Sequence, residues 1–190
     1  MRGIPKRVQE SFLKLMQKDY ENAMLQAAIA VDATAKKKYS KKLGNGARFR
    51  KFIDENEDFI LCMALGGKTR ILVSGELTFQ GRGRISNILY EYVRNPLLHE
   101  GDASSDIVFT SESKFGHFGD KVIVRDTTIW GVLLSVIGDP INNNCKLEND
   151  LEIEIEGVSL NVNSLWGKFD NIKRLLNYDD IPNNLIPASA

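Results

Sequence analysis

The chain has 190 residues, of which 43% are hydrophobic and 26% charged, with a formal net charge of zero. This composition excludes a chain that is disordered throughout, and the length suits one domain. No stretch approaches the roughly 18 consecutive apolar residues of a membrane span, and the N-terminus lacks the apolar run of a secretory signal. We therefore expect a cytoplasmic protein that does not associate with membranes.

Apolar residues at steps of three and four predict helices in the first half of the chain. The first stripe predicts a helix over residues 6–39, which at about 50 Å would need a break, or a partner chain, to suit a compact domain. A second helix is expected over 47–65, ending at Gly66-Gly67, and a third over 83–93. The segment 70–79 between them is expected to be extended or irregular.

After residue 101 the pattern changes to short strands. Residues 107–109 and 122–124 are predicted strands. Asp126 or Thr127 is then expected to cap a helix that continues through Ile137. The second half is thus predicted to add strands to a helical protein.

The alternation over residues 151–162 predicts a β-hairpin with a two-residue turn at Glu156-Gly157. All six apolar side chains of this hairpin share one face, and a helix over 164–176 is expected to cover it. The predicted pairs are Ile155 with Val158, Ile153 with Leu160 and Leu151 with Val162. The fold class is therefore mainly α (α+β), with a single domain over 1–178, a small antiparallel β-hairpin element in its C-terminal half and a flexible tail over 179–190.

The densest chemistry in the chain is Arg94-Asn95-Pro96-Leu97-Leu98-His99, at the end of the third predicted helix. Pro96 lacks a backbone N–H and disfavours helical geometry at Asn95, so we expect the helix to end or kink at Arg94. On an uninterrupted helix Arg94 and His99 would point about 140° apart, whereas a break lets both emerge at one opening. An imidazole that moves protons beside a guanidinium that holds a phosphate suits metal-free RNA cleavage.

This segment resembles the signature of the HEPN family, in which an arginine, often followed by a polar residue, precedes a histidine by four to six residues. Arg94, Asn95 and His99 match these positions. The resemblance implies a helical bundle and a metal-independent endoribonuclease that uses the 2′-hydroxyl of RNA as nucleophile. In that role Arg94 would stabilise the phosphate, His99 would act as acid or base or fix the attacking hydroxyl, and Asn95 would orient the pair.

The resemblance also implies partners. Paired motifs would face each other across a homodimer, and a toxin or antiviral defence effector would bind RNA and an antitoxin-like protein. Arg82, Arg84 and Glu100 are further substrate-binding candidates, although the two arginines could equally lie in a solvated loop. No cofactor is implied.

Two other interpretations of this segment remain open. The family includes members that bind nucleotides or proteins without cleavage, so a non-catalytic HEPN-like module is the alternative function. Arg94 and His99 could also serve only to tie a helix end to neighbouring carboxylates, namely Glu91, Glu100 or Asp102.

The remaining signals are weaker. Residues 1–99 carry 18 Lys and Arg against 10 Asp and Glu, whereas residues 100–190 carry 7 against 15. The basic half, including the lysines from Lys36 to Lys42, could steer a polyanion, or the acidic half could fold against it. His117 is isolated, and the two cysteines lack metal-site spacing, so no metal site is predicted.

Overall fold

The computed structural model is a mainly helical bundle with a small β-hairpin in its C-terminal half, which confirms the predicted fold class. One buried apolar cluster extends from Ile4 in the first helix to Tyr178 near the end of the chain. Among the described residues, no helix combines the length and the apolar character that a membrane crossing requires. The structure describes residues 3–67, 70–74, 84–99, 104–155, 157–181 and 183–187.

The predicted helix over 6–39 is divided in two, as its length required. Helix α1 (Ile4–Met16) and helix α2 (Tyr20–Lys38) pack against each other. Lys18 adopts a positive φ of 59° in the turn. The Asp19 carboxylate then accepts a hydrogen bond from the Asn22 N–H, a typical N-cap contact that starts α2.

The predicted helix over 47–65 is also two helices. Helix α3 (Asn45–Glu55) and helix α4 (Glu57–Ala64) are separated by Asn56. The chain leaves α4 through Gly66 and Gly67, whose φ angles of 84° and 70° favour glycine. The predicted end of the helical region at these glycines is confirmed.

Helix α7 (Asp126–Gly138) is largely buried and packs against α2, α4 and α8 (Phe169–Leu175). A Cβ at Gly131 would lie 3.0 Å from the Ile60 Cα, so this glycine allows α7 to cross α4 closely. The predicted bounds are confirmed to within one residue. The N-cap position, however, is occupied by Arg125 rather than by Asp126 or Thr127, because Asp126 is already helical.

The short strands form three separate sheets. The predicted strands β2 (Ile107–Thr110) and β4 (Lys121–Arg125) are present and pair in parallel. Strand β3 (Gly116–Phe118), which the sequence did not predict, adds to β4 in the antiparallel direction.

Strand β1 (Arg70–Ser74) lies in the segment that was expected to be extended or irregular. It pairs in parallel with β7 (Asn183–Pro187). The prediction of a flexible tail over 179–190 missed β7. Its partner β1 lies in the first half of the chain, and no local sequence pattern predicts the pairing.

The predicted hairpin is confirmed with its register. Strands β5 (Glu152–Ile155) and β6 (Val158–Asn161) place Ile155 opposite Val158 and Ile153 opposite Leu160. Helix α8 (Phe169–Leu175) is shorter than the predicted 164–176, because residues 162–164 form a 3-10 turn and Gly167 has a positive φ of 73°.

Candidate functional site

The helix that carries the Arg94 segment does not end where the sequence predicted. Helix α5 (Ile85–Ile88) continues into a π-helical turn (Leu89–Arg94), which continues into helix α6 (Asn95–His99). The helix therefore does not end at Arg94 but passes through it in a wider helical turn. Such π turns are rare and frequently occur at functional sites.

Two hydrogen bonds explain how the helix accommodates a proline. The Asn95 N–H donates to the Tyr90 carbonyl oxygen, five residues back. Pro96 has no N–H to donate, and the Tyr92 carbonyl oxygen, four residues before it, accepts from the Ser104 N–H at 3.0 Å. A donor outside the helix thus replaces the missing one. The predicted helix end at Arg94 rests only on the local effect of proline and is wrong for this reason, whereas the alternative of a kink there stays a prediction.

Arg94 is held from two sides at the end of the π turn. Its Nε and Nη2 donate to Asp32 Oδ2 on α2, at 3.1 and 2.8 Å. Its Nη1 donates to Asn95 Oδ1 at 2.8 Å, and its Cζ lies 5.3 Å from the centroid of the Tyr90 ring. The structure thus brings Arg94 and Asn95 together and adds Asp32, which the sequence did not single out.

His99 is exposed at the end of α6, next to the exposed Leu98. Among the residues that the structure describes, none forms a hydrogen bond or ion pair with its imidazole. His99 is also absent from the lining of the pocket that contains Arg94. Within one chain, the structure therefore does not bring Arg94 and His99 to a shared cleft.

Arg94 contributes to the wall of a pocket of about 280 Å³ between α2, the start of α3 and the π turn. Asp32 and Lys36 share one face of α2 because they are four residues apart. Three cationic side chains meet one carboxylate in this pocket, which we call the Arg48 pocket. Its lining consists of Ile29, Asp32, Ala33, Lys36, Asn45, Arg48 and Arg94.

Arg48 is the most deeply placed cation of this pocket. It is only 8% exposed, and its Nη2 donates to the Asn45 side-chain oxygen. Within the described ranges its guanidinium has no carboxylate partner, although it carries five N–H donors. A buried charge without a counterion is unfavourable, so this site has unmet capacity for an anion.

A second charged site, at the C-terminal end of α2, has carboxylate partners for its cation. Lys38 Nζ lies 2.8 Å from Asp139 Oδ2 and 2.9 Å from Glu55 Oε2, and the Tyr39 hydroxyl donates to Glu55 at 2.7 Å. Burial lowers the pKa of Lys38, but its hydrogen bonds to Asp139 and Glu55 outweigh burial and raise it. We call Lys38, Tyr39, Glu55 and Asp139 the Lys38 cluster.

The other predicted substrate-binding residues are less available. Arg84 pairs with Glu57 at 2.5 Å and Asp54 at 3.5 Å, so its charge is used within the protein. Burial raises the pKa of Glu57 despite the opposing effect of Arg84. Arg82 and Glu100 lie outside the described residues.

Between described residues, the acidic half neutralises the basic half at one ion pair. Among ion pairs between two described residues, Lys38 with Asp139 is the one that joins the halves. Arg94 takes its carboxylate from Asp32, within the basic half. The positive excess of the Arg48 pocket is therefore left in place.

In the parts of the chain that can be described, no group of three or more His, Cys, Asp or Glu could hold a metal ion.

Comparison with known proteins assigns the chain to a family. The profile of the family described as Rv1289 matches residues 3–187. The chain belongs to the Rv1289 family. It is 26% identical over 191 residues to the uncharacterized proteins Rv1289 of Mycobacterium tuberculosis and Mb1320 of Mycobacterium bovis, with 93% of this chain and 89% of each relative covered. No solved structure matches it.

The Rv1289-family match includes both α6 and the Arg48 pocket, but it supplies no activity to transfer. Function must therefore be argued from the side chains. Sequence reasoning missed Asp32, Asn45 and Arg48 as site residues. The predicted helix began at residue 47, so its bounds hid the fact that Asn45 and Arg48 lie three residues apart on one face of α3.

Proposed function

We propose that this Rv1289-family protein is a metal-independent endoribonuclease of the HEPN type that acts as a homodimer. The observation that carries the proposal is an oriented guanidinium, that of Arg94, on the wall of a cation-rich pocket and five residues before the exposed His99. The π turn that presents Arg94 supports the proposal, because helices adopt this geometry frequently at functional sites.

The proposed chemistry needs no metal. The 2′-hydroxyl of one nucleotide attacks the adjacent phosphorus while the bond from phosphorus to the 5′ oxygen breaks, which leaves a 2′,3′-cyclic phosphate and a 5′-hydroxyl. His99 moves the proton of the attacking hydroxyl or supplies one to the leaving oxygen. Arg94 stabilises the negative charge on the non-bridging oxygens, and Asn95 orients Arg94.

A second copy of the chain has a specific task in this proposal. His99 lies outside the lining of the Arg48 pocket of its own chain. It is exposed, as is the apolar Leu98 beside it, 37% exposed. A homodimer that pairs the two α6 helices would bring two imidazoles and two guanidiniums to one interface. A cytoplasmic role as a toxin or defence effector, with an antitoxin-like partner, belongs to the same proposal.

Incubation of the purified protein with single-stranded RNA in EDTA tests the activity. We expect cleavage with 2′,3′-cyclic phosphate ends, lost in His99→Ala and retained in His117→Ala, which removes the only other histidine of the chain. An inactive parent, or equal cleavage by His99→Ala, would refute the proposed enzyme. Light scattering during size-exclusion chromatography tests the dimer.

One observation favours the alternative, a non-catalytic module that binds a nucleotide or a protein. Asp32 engages Arg94 through two nitrogens and could hold it permanently as a structural ion pair. In that case a monomer that does not cleave RNA would still bind a nucleotide. The two proposals therefore differ in both the oligomeric state and the reaction.

A further inference from the structure

Arg48 differs from the other buried charged groups described in the chain in lacking a charged partner. The only hydrogen bond of its guanidinium to another described residue is with the neutral Asn45 side chain. Asp32, the one carboxylate of the Arg48 pocket, is already engaged by Arg94 at 2.8 Å. Among the described residues, no carboxylate compensates Arg48, so its guanidinium is available to an anion from solvent or from a ligand.

The other groups of the pocket are suited to the same ligand. Lys36 is exposed on the pocket rim, and the bonds to Asp32 and Asn95 leave one N–H on each terminal nitrogen of Arg94 without a described acceptor. Helix α3 starts beside the pocket with Gly44 at its N-cap, which has no side chain to cap the first amides. The positive end of the α3 dipole adds to the attraction for an anion.

The size and the donor set indicate what kind of anion fits. A pocket of about 280 Å³ lies just below the range of roughly 300–1,000 Å³ that holds a drug-sized ligand. It is large enough for a phosphate group, with the rest of the ligand outside. Two guanidiniums and an ammonium match the several oxygens of a phosphate, whereas one guanidinium would satisfy a carboxylate.

We infer that the Arg48 pocket is a phosphate-binding site in which Arg48 is the buried anchor and Arg94 and Lys36 complete the coordination. The phosphate belongs either to a free nucleotide or to an RNA backbone. For RNA the inference rests on the proposed ribonuclease function, whereas binding of a free phosphate does not require any cleavage.

The test is thermal unfolding and calorimetric titration of the whole protein with inorganic phosphate. Chloride and acetate at equal ionic strength serve as comparison anions. We expect phosphate to raise the melting temperature, since a ligand that binds only the folded state stabilises it. We expect Arg48→Gln to weaken phosphate binding about ten-fold or more, because charge-assisted hydrogen bonds are lost. Lys42→Gln removes an exposed positive charge that does not line the pocket and should weaken phosphate binding much less than Arg48→Gln.

Two further ligands separate the sources of the phosphate. Binding of a nucleoside 5′-monophosphate would show that the pocket accepts a terminal phosphate. An oligoribonucleotide with 2′-O-methyl groups and no terminal phosphate reports the backbone, and it cannot be cleaved through a 2′-hydroxyl. Because these measurements need no turnover, failure of RNA cleavage leaves them interpretable, and their failure leaves the cleavage assay interpretable.

Three results would overturn the inference. The first is no difference between phosphate and chloride for the parent protein. The second is equal stabilisation by acetate, which would indicate a general anion effect. The third is unchanged phosphate binding in Arg48→Gln. If that variant does not fold, Lys36→Gln decides instead, because Lys36 is exposed and its loss should weaken binding about three-fold.

Discussion

The Lys38 cluster and the Arg48 pocket both include residues of α2 and both combine cations with carboxylates, yet they differ in how their charges are matched. Lys38 contacts two carboxylates, and one of them also accepts from the Tyr39 hydroxyl. Arg48 is more deeply buried than Lys38, yet its guanidinium hydrogen-bonds only to a neutral amide oxygen among the described residues.

This difference indicates a structural role for the Lys38 cluster and a binding role for the Arg48 pocket. Cations whose carboxylates come from the fold contribute to stability and have little capacity left for a ligand. A buried cation without such a carboxylate costs stability, which is typical of sites that evolved to bind something. The comparison therefore predicts opposite effects of substitutions at the two sites.

The largest expected effect is at Asp139 in the Lys38 cluster. Asp139 is 6% exposed, pairs with Lys38 and accepts the Ile141 N–H at 3.0 Å. Asp139→Ala should lower the free energy of unfolding by about 2–3 kcal/mol, because it leaves Lys38 with one carboxylate and removes a cap. Urea denaturation measures the change.

Asp139→Asn is the matched control for this prediction. It keeps an oxygen that can accept the Ile141 N–H but removes the charge that pairs with Lys38. Its loss should be smaller than that of Asp139→Ala, and neither variant should alter phosphate binding. Ordinary surface substitutions change the free energy of unfolding by less than about 0.5 kcal/mol. A loss this small for Asp139→Ala would show that the cluster has no structural role.

The second prediction concerns Arg48 itself. Arg48→Met keeps most of the side-chain volume and removes an uncompensated charge, so stability in phosphate-free buffer should stay unchanged or rise by about 1 kcal/mol. Lys38→Met is the matched control and should destabilise, because it leaves Glu55 and Asp139 without their shared cation. Equal destabilisation by both substitutions would show that Arg48 is structural.

Much of the fold could be predicted from the sequence, because it depends on local patterns. The register of the β5–β6 hairpin follows from strict alternation and a turn containing glycine, and the end of α4 follows from Gly66-Gly67. The pairing of β1 with β7 could not be predicted, because nothing in either segment specifies so distant a partner.

The candidate site was predictable only in part, for a related reason. Arg94, Asn95 and His99 were found because they are contiguous and resemble a known signature. The passage of the helix through Pro96 depends on a donor from Ser104, outside the segment. The burial of Arg48 depends on how α3 packs against α2. Neither property is visible in a local pattern.

The third prediction concerns Asp32, the only carboxylate among the described residues that line the Arg48 pocket. Asp32→Asn removes a negative charge from the pocket and weakens the hold on Arg94. Inorganic phosphate should therefore bind about three- to ten-fold more tightly, and the gain should shrink as salt screens the charges. Calorimetric titration at two salt concentrations measures this.

Glu91→Gln provides the comparison for Asp32→Asn. Glu91 lies outside the pocket and 3.8 Å from Arg50, so its neutralisation should change phosphate affinity little. If Asp32→Asn weakened phosphate binding, the carboxylate would instead be needed to hold Arg94 in place.

The smallest expected effect is the pH dependence of the Lys38 cluster. Burial raises the pKa of Glu55, but hydrogen bonds from Tyr39 and Lys38 outweigh burial and hold it below its ordinary value of 4.5. A carboxylate whose pKa is lower in the folded state stabilises the protein above its unfolded pKa, and this contribution disappears as the pH falls through the folded value.

Glu55→Gln should therefore lower the free energy of unfolding at neutral pH by less than about 1 kcal/mol, since Glu55 is partly exposed. This loss should become smaller as the solution is acidified below pH 4.5. Urea denaturation of both proteins between neutral and acidic pH measures the difference, and the exposed Glu154→Gln should show none. A gap that widens on acidification would mean that the Glu55 carboxylate is destabilised by burial more than it is stabilised by Lys38 and Tyr39. The Lys38 cluster would then resemble the Arg48 pocket in carrying an imperfectly compensated charge. The claim that the Lys38 cluster stabilises the fold, and so differs from the Arg48 pocket, would be wrong.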